Sequence, residues 1–212
     1  MAGIYIHIPF CHSKCAYCDF FSTSGNSGRA TFVESLSREW AMRRHELGDA
    51  PVRTIYLGGG TPSILSTDEL NIIASLLPVS KLEEFTLEAN PEDISIQRVK
   101  DMISIGINRI SIGVQSLNDR ELLAVGRRHT SQDAIEAIAT IRKAGISNIS
   151  ADLIYGLPGQ TADSWRESVQ RLSECGISSF IRAGHSPLFN APGGENQRSI
   201  TRTVGRDVQY PL

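Results

Sequence analysis

The fold is constrained most by a regular exchange of short apolar segments with longer amphipathic ones. Residues 4–9, 52–57, 84–88, 109–114 and 148–155 read as strands. Residues 31–44, 67–76, 96–105, 119–125, 131–144 and 162–175 carry helical spacing, with Thr67 as the expected cap of the second helix. No tight turn joins one strand to the next, so five βα units should build a parallel sheet with its helices outside. The strands also sort their side chains by parity. Ile4, Ile6 and Ile8, Ile55 and Leu57, Phe85 and Leu87, Ile110, Ile112 and Val114, and Ile149, Ala151 and Leu153 make one apolar face. The other parity holds Tyr5 and His7, Thr54, Tyr56 and Gly58, Thr86 and Glu88, Ser111, Gly113 and Gln115, and Ser150 and Asp152. Strands of a parallel sheet are normally apolar on both faces. If the first set packs on the helices, the second lines an interior too polar and small-sided to fill itself as a closed barrel's aliphatic layers do. Such an interior should hold a ligand. A twisted open sheet and a barrel are both compatible with the pattern.

The chemistry concentrates just after the first strand, in Cys11-His-Ser-Lys-Cys15-Ala-Tyr-Cys18. Three thiolates this close can bind one metal centre from a single loop. Structural zinc needs four ligands. The remaining cysteine, Cys175, is remote, and His12 sits beside Cys11, poorly placed to turn inward with it. Three thiolates satisfy three irons of a [4Fe–4S] cluster and leave the fourth open to another ligand. Ligand count therefore favours a cluster, with zinc and unliganded thiols as the alternatives. Further candidates lie at the carboxyl ends of the strands, where a barrel puts its site. They are the turn Gly58-Gly-Gly-Thr-Pro62, Glu88 in Glu88-Ala-Asn-Pro91, Gln115 and Asp152. Consecutive glycines let a backbone run close to a ligand, and the turn lacks the GK[ST] ending of a P-loop. Each polar residue is ordinary by itself; on one parity and at one end they make a site.

Composition removes other classes. With 21 Lys and Arg against 23 Asp and Glu in 212 residues, there is no basic field for nucleic acid. No apolar run approaches the ~20 residues of a membrane span. Strand-like residues begin at Ile4, which leaves no room for a signal peptide. Four cysteines in such a chain do not make a disulfide framework. A cytoplasmic protein is expected.

Several motifs occur together, in order, over residues 4 to about 175: Tyr5-Ile-His-Ile-Pro-Phe-Cys11, the glycine turn, Glu88-Ala-Asn-Pro91, Gly113-Val-Gln-Ser-Leu-Asn118, Arg127-Arg-His129 and Asp152-Leu-Ile-Tyr-Gly-Leu-Pro158. In this order they resemble the coproporphyrinogen III dehydrogenase-like family of radical S-adenosylmethionine (SAM) proteins. The dehydrogenase branch has a further cysteine two residues past the third. Cys18-Asp-Phe20 resembles instead the haem-chaperone, or HemW, branch. The resemblance implies an α/β fold, a partial (β/α)6 TIM-like barrel of parallel strands that is incomplete at its C-terminal end. It implies Cys11, Cys15 and Cys18 as ligands of a [4Fe–4S] cluster. Tyr5, Tyr17, Gly59, Gly60, Thr61, Glu88, Gln115, Arg127 and Asp152 fall on the family's SAM-contact positions, and the glycine turn matches the motif that holds the methionine amino group. The implied chemistry is reductive cleavage of SAM to methionine and a 5′-deoxyadenosyl radical, fed by an electron donor such as flavodoxin or ferredoxin. The implied role is haem binding and delivery, with oxidation of a porphyrinogen as the alternative. On this reading residues 1–180 are the radical SAM core and 181–212 an irregular tail that does not pack as a domain. Only residues 177–181 hint at a sixth strand. Family members continue with that strand and a further domain, so the sequence reads as truncated or frameshifted. His185, in the tail, is more readily a solvated histidine than an axial haem ligand.

Overall fold

In the computed structural model the described residues are 1–13, 21–25, 27–79, 82–177 and 179–184, the last four of them by backbone alone. Six parallel strands form one sheet: β1 (Ala2–Ile8), β4 (Val52–Gly59), β5 (Glu84–Ala89), β6 (Arg109–Gln115), β7 (Asn148–Tyr155) and β8 (Ser179–Gly184), paired in that order. A separate parallel pair, β2 (Phe10–Cys11) and β3 (Thr23–Ser24), flanks the cysteine loop. The crossovers carry α1 (Arg29–Arg43), α2 (Thr67–Leu76), α3 (Ile96–Ile105), α4 (Asp119–Ala124), α5 (Ser131–Ala144) and α6 (Ala162–Glu174).

The strand order decides between the two architectures left open by the sequence. A doubly wound sheet reverses its order at a switch point and carries helices on both faces. Here the order never reverses, so every helix returns on the same side and the twisted sheet curls as part of a TIM-like barrel. Among the described residues β1 and β8 are its two edges.

The apolar parity faces the helices, as expected. Ile6, Ile8, Ile55, Leu57, Phe85, Leu87, Ile110, Ile112, Val114, Ala151 and Leu153 join one buried cluster with Val33 of α1, Leu70 and Ile73 of α2, Val99 and Met102 of α3, Ile138 and Ile141 of α5, and Leu172 of α6. That shell holds the sheet. Its inner face is left to polar side chains.

Two details differ from the sequence reading. The cap of α2 is Ser66, not Thr67: Ser66 Oγ accepts from Glu69 N at 3.1 Å while the Glu69 carboxylate accepts from Ser66 N at 2.7 Å, a reciprocal capping box. Thr67 is the first helical residue, and its hydroxyl donates to Asp101. The sixth strand is formed and extends to Gly184, in register from Ser150↔Ser179 to Tyr155↔Gly184, so the boundary expected at 181 cuts through it. Residues 185–212, with His185, lie outside the described residues. Among the described residues no helix is long and apolar enough to cross a membrane.

Candidate functional site

The glycine turn is built as a continuation of β4 against the chain leaving β1. Gly60 N donates to Ile8 O at 2.8 Å and Thr61 N to Phe10 O at 2.7 Å. A Cβ on Gly60 would stand 2.6 Å from Phe10 O, and one on Gly59, whose φ is 112°, would stand 2.5 Å from the His7 ring. Only glycine fits at either position. Gly59 N donates to Glu88 Oε2 at 3.0 Å. The N–H groups of residues 59, 60 and 61 are thus all committed within the protein, and what the turn can offer a ligand is carbonyl oxygen. That chemistry suits an ammonium group.

Cys11 is buried against this turn. Thr61 Oγ1 donates to its Sγ at 3.6 Å, and the missing Cβ of Gly60 would lie 3.0 Å from the same sulfur. The next residue, His12, sets Nε2 3.0 Å from Asp93 Oδ1, while Ser63 Oγ donates to Asp93 Oδ2 at 2.5 Å. His12, the candidate fourth ligand of a zinc site, is therefore engaged by a carboxylate in the turn after β5. Cys15, Cys18 and Tyr17 lie outside the described residues. Among the described residues no group of three or more His, Cys, Asp and Glu could hold a metal.

Two carboxylates enter the interior from β5 and β7, the strands on either side of β6. Glu88 accepts from Tyr56 Oη at 2.7 Å as well as from Gly59 N. Burial raises its carboxyl above the ordinary range, against those two hydrogen bonds and the nearby His7. Burial, and then the Glu88 charge, push the Tyr56 hydroxyl far up, which keeps it a donor. Asp152 accepts from Ser111 Oγ at 3.0 Å. Burial first and Glu88 second raise its carboxyl to about 7, with Ser111, Arg109 and Arg127 pulling the other way. Below Asp152 the interior is filled by a polar chain in place of aliphatic layers. Arg109 Nη2 donates to Ser150 Oγ at 3.1 Å and Ser150 Oγ to Ser111 Oγ at 2.9 Å. Arg109 also pairs with Glu84 at 3.2 Å.

The third wall comes from the end of β6. Gly113 lies opposite Asp152 and Gln115 opposite Leu153, so Val114 is an extra residue in the ladder. A Cβ on Gly113 would meet Gln115 Nε2 at 2.9 Å, Asn90 Oδ1 at 3.3 Å and Arg127 Nη2 at 3.4 Å. The space left by that glycine is where these three groups converge. Arg127 Nη2 donates to Asn90 Oδ1 at 2.7 Å and to Gly113 O at 2.8 Å. The two residues after it strap the same corner: Arg128 pairs with Glu92 at 3.1 Å, and His129 places Nδ1 3.5 Å from Glu92 Oε2. Burial alone would raise the Glu92 carboxyl, but the His129 ring, its own backbone and Arg127 outweigh it and hold it at about 2.

The structure thus brings Cys11, Gly59, Gly60, Thr61, Glu88, Gln115, Arg127 and Asp152 to the carboxyl end of one curled sheet. Tyr5 is the outlier, 58% exposed on the edge strand although stacked on Tyr56 at 5.8 Å between ring centroids. Sequence reasoning missed Arg109, Asp93 and Glu92. Arg109 shares the parity of Ser111 and Gly113, which was the available signal; Asp93 and Glu92 lie in an irregular turn and offered none.

This arrangement can be compared with known proteins. The family model described as the radical SAM superfamily matches residues 5–172. The chain belongs to the radical SAM superfamily. It is 43% identical over 214 residues to the haem chaperone HemW of Lactococcus lactis, covering 96% of this chain and 54% of that protein. It is 38% identical over 175 residues to HemW of Bacillus subtilis, covering 80% and 46%. Among solved structures, coproporphyrinogen III oxidase (HemN) from Escherichia coli, itself a radical SAM enzyme, superposes with a TM-score of 0.78 at 26% identity, over 87% of this chain and 44% of that one. The chain spans about half the length of the curated relatives it matches. A radical SAM core accounts for the partial barrel and for a polar interior that aliphatic packing would not leave.

Proposed function

We propose that the inner cavity binds SAM beside a [4Fe–4S] cluster held by Cys11, Cys15 and Cys18, and that this core serves a HemW-type protein that binds and delivers haem. The observation that carries the reading is the placement of two partly buried carboxylates, Glu88 and Asp152, on the inner face at the end of the sheet that also receives Cys11 and the glycine turn. Burial raises the proton affinity of both carboxylates, and Glu88 raises that of Asp152 further; a cationic ligand relieves this, and SAM carries both a sulfonium and an ammonium. The remaining groups match the rest of such a ligand. The carbonyls of the glycine turn suit the ammonium, Arg127 suits a carboxylate, and Glu88 and Asp152 can accept from hydroxyls. Tyr56 and Ser111 hold these two carboxylates in place by donating to them. Bound together, a reduced cluster and SAM supply one-electron cleavage of a sulfonium C–S bond; the chain contributes orientation and a cavity that limits water. An electron donor such as flavodoxin or ferredoxin would be a partner on this reading.

The haem assignment rests on HemW relatives that agree over this core and on Cys18-Asp-Phe20, which lacks the extra cysteine of the dehydrogenase branch. The test is anaerobic reconstitution followed by two titrations, with SAM by calorimetry and with haem by absorbance. Saturable binding of both, with no consumption of coproporphyrinogen III under reducing conditions, is the expected result. Turnover of the porphyrinogen would move the function to the HemN class. Absence of SAM binding by the loaded protein would overturn the site itself.

A further inference from the structure

Glu121 is a buried carboxylate that the proposed site does not use. It is 2% exposed, although it lies in the first turns of the short helix α4. Three donors from three segments converge on it: Ser116 Oγ at 2.6 Å, Gln160 Nε2 at 3.0 Å and Ser164 Oγ at 2.5 Å. Ser116 follows the end of β6. Gln160 lies in the loop after β7, where it also donates to Ile154 O and accepts from Gly156 N. Ser164 belongs to the first turn of α6. A charge taken out of water is retained only with such a full set of partners, and this set joins the two loops that leave β6 and β7.

The second observation is a strained residue directly before Ser116. Gln115 has a φ of 65°, the only positive value for a non-glycine among the described residues. Ser116 N donates to Val114 O at 2.8 Å across it, the hydrogen bond of a γ-turn, which is rare in its positive-φ form. The strain has a geometric purpose. Gln115 lies opposite Leu153, whose side chain is fully buried in the shell under the helices. By alternation along β6 Gln115 belongs to the inner face of Ser111 and Gly113, but the extra Val114 shifts the register and sets it beside an outward-facing neighbour. The positive φ turns it back over Gly113, with its amide beside Asn90 and Arg127. Such a conformation persists only where the surroundings over-determine it. The surroundings here are Arg127 on Gly113 O, His129 Nε2 3.1 Å from Val114 O, Ser168 Oγ accepting from Leu117 N at 3.0 Å, and Glu121 on Ser116.

We infer that Glu121 is a positioning residue: through Ser116 it holds the left-handed turn that aims Gln115 into the cavity, and through Gln160 it ties that turn to the loop following Asp152. The inference rests on the proposed SAM site, since it concerns how that site is kept in shape. Glu121 itself touches no ligand. Its removal therefore acts on ligand affinity only while Gln115 is there to be aimed.

A double-mutant cycle tests this on the full chain, anaerobically reconstituted, with SAM as the titrant in calorimetry. Glu121→Gln keeps the shape but replaces one acceptor oxygen with a donor, and Ser116→Ala cuts the single link between Glu121 and the turn, as the milder variant should the first fold poorly. Each should weaken SAM binding by roughly three- to tenfold in the wild-type background. In a Gln115→Ala background neither should weaken it further. Amide exchange at Ser116 should quicken in Glu121→Gln while exchange in α2 and α3 stays as in the wild type. Effects that multiply in the double variants, or unchanged affinity in both singles, would overturn the inference and leave the SAM site standing. Unchanged affinity in Gln115→Ala alone would overturn the assignment of Gln115 to the SAM site, and the inference with it.

Discussion

Replacing Asp152 by Asn should stabilise the cofactor-free protein at neutral and alkaline pH while weakening its ligand. The folded structure raises this carboxyl from an ordinary 3.8 to about 7, chiefly by burial and secondarily through Glu88. Each unit corresponds to about 1.36 kcal/mol, so ionised Asp152 costs the fold about 4 kcal/mol on that shift. The carboxylate faces the open cavity, where water takes part of the penalty back, and roughly 2–4 kcal/mol is the expected range. Below pH 3.8 folded and unfolded chains both hold the proton, and the contribution is constant. Between 3.8 and about 7 the unfolded chain has released it and the folded chain has not, so stability falls as pH rises. Above about 7 both are ionised and the loss is complete. Asn does not titrate, and its carbonyl can still accept from Ser111. The stability difference between variant and wild type, from anaerobic urea unfolding under reducing conditions, should be near zero at pH 4 and reach its full value by pH 8. A difference that stays flat with pH, or an Asn variant less stable than wild type at pH 8, would refute the reasoning. The same variant should bind SAM more weakly, because a neutral acceptor replaces a charged one.

Three further outcomes follow from the site. Changing Cys11, Cys15 or Cys18 to Ala should abolish a reconstituted cluster, read as iron content and visible absorbance, whereas Cys175→Ala, at the C-terminal end of α6, should retain it. Glu88→Ala should weaken SAM binding by roughly 1.5–3 kcal/mol, the usual value of a hydrogen bond to a charged group in a closed site; unchanged calorimetric affinity would remove Glu88 from the ligand's surroundings. Gly60→Ala should lower the unfolding midpoint and disturb cluster loading together, because its methyl would meet Phe10 O, Ile8 O and Cys11 Sγ at 2.6, 2.8 and 3.0 Å; a variant with wild-type stability would mean that the β1 end yields easily.

How much of this was legible in the sequence depended on whether the cause was local. The parity of Ile110, Ile112 and Val114 against Ser111, Gly113 and Gln115 reports directly which face meets the helices, since burial acts on alternate residues. Glu88 and Asp152 were readable for the same reason. The cap of α2 was readable too and misassigned. Two hydroxyls stand side by side, and the deciding residue is Glu69, three places after Ser66, which completes a reciprocal pair only with that serine. The strand over residues 179–184 is another matter. Its sequence has little apolar alternation of its own, and the pairing offered by β7 supplies what local propensity does not. Glu121 and the Gln115 turn were beyond reach altogether. Ser116, Gln160 and Ser164 are brought onto one carboxylate by the packing of β6, β7 and α6, and the sequence separation of up to 43 residues gives no pattern to count.

The same division runs through the energetics. On the helix side the sheet closes a dense aliphatic shell, in which substitutions are judged by volume and every partner is supplied by the chain. On the inner side each element trades stability for a placed polar group. Arg109, Ser150 and Ser111 occupy space that aliphatic layers fill in a closed barrel, and their hydrogen bonds run in one direction, from the guanidinium toward Asp152. Gly58, Gly59, Gly60 and Gly113 give up side chains where Glu88, His7, Cys11 and Gln115, respectively, pack against their backbone. Gln115 adopts a conformation that a strand residue avoids. Local rules are broken at these places and hardly at all on the helix side, which is the pattern of a site rather than of a weak core. A fold that needed only to persist would have put leucine where Asp152 stands, and the outer shell is what allows this one not to.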